Sequence, residues 1–222
     1  DDGTSARLGM SALDPDVVLL LFFTGNDVSD NDHALSRKIG GVEPKPYYEF
    51  EADSLRIRNF PLPPSPSGPR PAFKRFLSEH SRLYLLIRTR KNQLTGRGRT
   101  EGAAPEGVPL AWEVYHREQT PDWDRAWRVT EALLTELGGK CARDGARFLV
   151  AGLPTGWRVE PEQRDELLEG YPTLGDETIW DMDVPDHKLG TILEKEDLPY
   201  ISLTGTLLAA RNRAGVALYS DH

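Results

Sequence analysis

The chain has 222 residues, a net charge of -8, 38% hydrophobic and 28% charged residues. That length suits one domain with one good core, and the composition is ordinary for a globular protein. The acidic balance argues against nucleic-acid binding, the longest apolar run falls far short of the roughly 20 residues of a membrane span, and a single cysteine, Cys141, excludes an internal disulfide.

Asp16 to Asp27 reads Asp-Val-Val-Leu-Leu-Leu-Phe-Phe-Thr-Gly-Asn-Asp. An unbroken Val/Leu/Phe run of this kind is expected of a strand buried on both faces of a parallel sheet. In open α/β sheets, ligands bind at the carboxyl ends of such strands, which makes Gly25-Asn26-Asp27 the expected site. Gly25 permits a sharp turn, and the Asn26 amide can donate two hydrogen bonds. An acidic loop, Asp27 to Asp32, is expected next. Residues 40–70 are rich in Pro and Gly, within which Leu55 to Arg58 alternates as a short half-exposed strand should. Phe73, Phe76, Leu77, His80, Tyr84 and Ile87 then recur at helical spacing, predicting a helix over 71–94 whose opposite face carries Lys74, Arg75, Arg82, Arg88, Arg90 and Lys91.

Thr120, Pro121 and Asp122 together signal a helix start. Trp123, Trp127, Thr130, Leu134, Leu137 and Cys141 form the buried stripe of that helix. Gly138-Gly139 is expected to bend its last turn, and Gly145 to end it. Arg147 to Leu153 reads as a second buried strand ending at Pro154-Thr155. Residues 160–183 are acidic and turn-rich. A short helix over 185–196, a strand over 198–203 and a brief helix over 204–211 follow, with Gly215 as the stop. Helices alternating with buried strands predict a parallel α/β sheet with helices on both faces.

Other chemistry is sparse. Asp27, Asp30 and Asp32 are suitable ligands for a hard cation, but their spacing fits a solvated acidic loop better. His33, His116 and His187 stand without a paired ligand, and His80 sits on an apolar helix face. Cys141 belongs to the buried stripe, and no base is indicated beside it. The basic face of residues 70–99 is a solvated helix surface or a contact for an anionic lipid or glycan surface.

The strand ending Phe-Phe-Thr-Gly-Asn-Asp resembles block III of the SGNH (GDSL-type) hydrolases. The strand Arg147 to Pro154 and the terminal Leu218-Tyr219-Ser220-Asp221-His222, similar to the start of block V, follow in the family's order. The resemblance runs from about Asp14 to the end. It implies a three-layer α/β/α sandwich with a parallel sheet, with 40–115 as an insertion holding the basic helix. It also implies Ser-His-Asp acyl transfer without a cofactor or metal, on a small-molecule, glycan or lipid ester. By matched position, Asn26, with Gly25 in its loop, is the oxyanion-hole residue and Asp221 the triad Asp. The family's His follows its Asp by two or three residues. His222 follows directly, so the base is His222 or a residue just past it.

Two departures accompany the resemblance. Block III usually places Gly before the variable residue, whereas Thr24 holds that position here and Gly25 the next. No Gly-Asp-Ser motif occurs anywhere in the sequence, so no nucleophile is identifiable. The chain is therefore expected to be a fragment lacking block I, inactive as given and incomplete at the sheet's first edge, with an aggregation-prone new edge. The alternative is a non-catalytic SGNH-like module that binds a glycan or a partner. Bacterial proteins of this type often carry an N-terminal membrane anchor, so the resemblance implies an extracytoplasmic location for the full-length form.

Overall fold

The computed structural model describes residues 14–40, 45–51, 54–60, 107–215 and 217–219. The expected helix over 71–94, its basic face, Asp221 and His222 lie outside these. In chain order come β1 (Val17–Phe23), α1 (Asp27–Asn31), α2 (His33–Ile39), β2 (Tyr47–Glu51) and β3 (Ser54–Arg58). A 3-10 turn (Leu110–Tyr115) leads into α3 (Pro121–Arg143), β4 (Arg147–Leu153), α4 (Gly156–Val159) and α5 (Pro161–Gly170). A second 3-10 turn (Pro172–Gly175), α6 (Val184–Lys195), β5 (Tyr200–Ser202) and α7 (Thr204–Ala214) complete the described chain.

The fold is mixed α/β. β1, β4 and β5 form a parallel sheet in that order, with β4 central. Val17 stands opposite Arg147 and Phe23 opposite Leu153, so the two strands end level with one another. β2 and β3 pair as a separate antiparallel hairpin, and the predicted alternation over Leu55 to Arg58 is that of β3.

Alternation along the strands separates two sheet faces. Val18, Leu20, Phe22, Phe148, Val150 and Tyr200 point into the core, beside Trp123, Ala126, Trp127, Leu134 and Cys141 of α3 and Leu189 and Leu193 of α6. The other face corrects the expectation of a strand buried on both sides. Val17, Leu19, Leu21 and Ile201 are 45%, 54%, 58% and 50% exposed. Among the described residues, no helix covers them. A run of apolar residues cannot distinguish a doubly covered strand from one covered on a single face, because both lack polar interruptions.

Helix α3 follows its stripe closely. Pro121 holds its first position, and Gly145 lies at positive φ just past its end. Gly138 has a packing reason rather than a bending one: a Cβ there would stand 2.6 Å from Leu198 Cδ2. Two expectations of irregular chain are corrected. Asp27 to Asp32 is not a loop but α1 and the start of α2. Asp32 caps α2 by accepting from the Leu35 amide at 2.7 Å, and it takes a two-pronged ion pair from Arg125 at 2.8 and 3.0 Å. The acidic segment 160–183 contains α5, whose polar sequence hid a helix that buries no residue fully.

Candidate active site

The turn after β1 lies beside the end of β4. The Thr24 amide donates to the Leu153 carbonyl at 3.1 Å, and the Thr24 hydroxyl donates to the same oxygen at 3.3 Å. Gly25 follows where the two strands close on each other. A Cβ at this position would meet Thr155 Cγ2 at 2.6 Å and the Phe23 ring at 2.7 Å. Glycine is thus required by close approach, at a backbone conformation outside the left-handed region.

Asn26 is exposed at the carboxyl end of the sheet and caps α1. Its backbone carbonyl accepts from the Ser29 hydroxyl and the Asp30 amide, each at 2.8 Å. Its side-chain Nδ2 donates to Asp30 Oδ2 at 3.1 Å, which orients the amide and leaves its second N–H for another acceptor. Asp27 turns back to accept from the Phe23 amide at 2.7 Å. Desolvation pushes the Asp27 carboxyl above its ordinary value, against the lowering by that hydrogen bond.

The C-terminal segment reaches the same end of the sheet. The Tyr219 hydroxyl donates to the Pro154 carbonyl at 2.8 Å. Glu160, only 2% exposed, accepts from the amides of Leu218 at 2.5 Å and Tyr219 at 3.1 Å, and from Arg211 Nε at 2.5 Å. Burial alone would raise the Glu160 carboxyl. Arg211 and the two amides outweigh it and hold the carboxyl below its ordinary value. Tyr219 stands two positions before Asp221, a reach of no more than about 7 Å of extended chain.

Aromatic residues line the floor around this end. Tyr115 lies edge-on to Trp157 at 4.8 Å between ring centroids, and Trp112 lies 5.5 Å from Trp157. The Tyr115 hydroxyl is 3.5 Å from Thr155 Oγ1, and burial pushes its pKa up to about 12. That phenol stays protonated at neutral pH and cannot serve as a base there.

The structure thus brings Gly25, Asn26, Thr155 and Tyr219 to one end of the sheet. Two histidines read as isolated have partners. His33 Nδ1 lies 3.2 Å from Glu49 Oε1 and its ring stacks near Tyr47; His116 Nδ1 accepts from the Glu118 amide at 3.0 Å. Cys141 is buried, and desolvation raises its thiol. No group of three or more His, Cys, Asp or Glu among the described residues is placed to hold a metal.

Sequence reasoning missed Thr155 and Glu160. Glu160 sits in a run of carboxylates, and nothing local marks it as the buried one; only the long-range pairing with Arg211 does. Comparisons with protein-family models, curated proteins and solved structures returned no match.

Proposed function

We propose that this chain is part of an SGNH-type ester hydrolase or O-acyltransferase acting on an acylated glycan or lipid ester. The complete domain would be a three-layer α/β/α sandwich, with further elements against the sheet face that no described helix covers. Asn26 is the oxyanion donor, Asp221 orients the general base, and His222 or a residue just past it is that base. The nucleophilic Ser is supplied by sequence outside these 222 residues.

One observation carries this reading. Asn26 presents its amide at the carboxyl end of β1, while Tyr219, two positions before Asp221, is fastened to Pro154 at the carboxyl end of the adjacent β4. Acyl transfer needs that convergence. As Ser attacks, its proton passes to the base and the carbonyl oxygen gains negative charge, which preorganised donors must meet. The Asn26–Asp30 hydrogen bond fixes the amide before substrate arrives, so little reorganisation is needed as charge develops.

The test begins by reading the coding sequence upstream for Gly-Asp-Ser after an apolar strand. The extended protein is then assayed on p-nitrophenyl acetate and labelled with a serine-directed fluorophosphonate. Hydrolysis and labelling of that serine are expected, with Asn26→Ala lowering kcat about 10²–10³-fold. Unchanged kcat in Asn26→Ala, or an upstream sequence with no such serine, would overturn the assignment and leave the binding-module alternative.

A further inference from the structure

Beside the aromatic floor lies an open cleft of about 310 Å³, lined in part by Trp157, Arg158, Arg164, Leu167, Trp180 and Asp183. Its size is within the range of small-ligand sites. Trp157 in its wall packs edge-on against Tyr115, whose hydroxyl is 3.5 Å from Thr155 Oγ1, and this contact chain links the cleft to the candidate active site. Leu167 and Leu174 give it an apolar floor.

The charges in the wall are balanced. Arg117 pairs with Asp181 at 2.9 Å, and Arg158 pairs with Asp183. A site for an isolated anion would leave several cations uncompensated, whereas here paired guanidinium and carboxylate groups offer donors and acceptors side by side.

We propose that this cleft binds the carbohydrate moiety of the substrate, a neutral sugar whose hydroxyls pair with the Arg/Asp wall and whose carbon face lies on the apolar floor. This rests on the acyl-transfer reading and narrows its substrate to a glycan ester. Neutral hydroxyls act as donor and acceptor at once, which matches alternating guanidinium and carboxylate groups. A fatty acyl chain would use none of these donors and acceptors and would bury ion pairs against hydrocarbon without new hydrogen bonds.

The 222-residue chain, labelled with ¹⁵N, is titrated with maltotriose, N,N′,N″-triacetylchitotriose, octanoate and inorganic phosphate. Amide shifts at Trp157, Arg164, Trp180 and Asp183 are expected with a trisaccharide and to persist in excess phosphate. Arg164→Ala, at an exposed position, should weaken trisaccharide binding at least threefold while leaving the melting temperature unchanged. No shift with either sugar, or shifts there with octanoate or phosphate alone, would overturn the proposal. The acyl-transfer reading falls or stands separately, because p-nitrophenyl acetate carries no sugar and Asn26→Ala should leave the sugar-induced shifts intact.

Discussion

At the scale of single residues, the site depends on how closely two strand ends approach. A Cβ on Gly25 would strike both Thr155 Cγ2 and the Phe23 ring. Gly25→Ala is therefore expected to destabilise the protein by about 1–3 kcal/mol through overpacking. Thr155→Ser removes the Cγ2 methyl that the new Cβ would strike, so the double variant should recover part of the loss. Chemical denaturation of all four proteins in a double-mutant cycle reads the coupling; additive effects would show that the Thr155 contact is not the cause. Asn26 and Gly25 were legible because a buried apolar run ends at them. Thr155 was not, because it becomes a neighbour of Gly25 only once β1 and β4 lie side by side.

At the scale of elements, a single carboxylate fastens the last described segment to the rest. Glu160 follows α4, receives Arg211 from α7 and holds the Leu218 and Tyr219 amides. Its folded pKa is depressed, so its stabilisation is present above the unfolded value of about 4.3 and fades as pH falls through the folded value. Thermal melts of the parent chain should weaken over that acid range. Glu160→Gln should melt lower at pH 7 and show a flatter decline on acidification; parallel curves for the two proteins would refute the assignment. Elements with strong periodic signals were readable in advance. The stripe from Trp123 to Cys141 and the stop at Gly145 locate α3 because burial and capping act locally. The helices over Asp27 to Asn31 and Pro161 to Gly170 were hidden, since each carries too few apolar residues to show a stripe: Val28 in the first, and Leu167 and Leu168 in the second.

For the molecule as a whole, the parallel sheet and its order of elements were legible, but the number of covered faces was not. Leu19, Leu21 and Ile201 project from one side with no described residue packed over them, and the outer edge of β1 has no described partner strand. Apolar surface of this kind is expected to be buried by association. The isolated 222-residue chain should therefore elute as concentration-dependent oligomers in size-exclusion chromatography with light scattering. Leu19→Lys/Leu21→Lys should shift it toward monomer without lowering its helical content. A monodisperse monomer before substitution would mean that this face is already covered.

The pairing of β1 with β4 has a further consequence during synthesis. Thr24 and its acceptor Leu153 are separated by 129 positions. At translation rates of about 5–20 residues per second, the nascent chain carries Val17–Phe23 for roughly 6–26 s before its partner strand is made. Throughout that interval this apolar strand lacks its β4 partner. Until Arg147–Leu153 emerges, its apolar side chains are shielded by other segments of the same polypeptide or by a ribosome-bound chaperone.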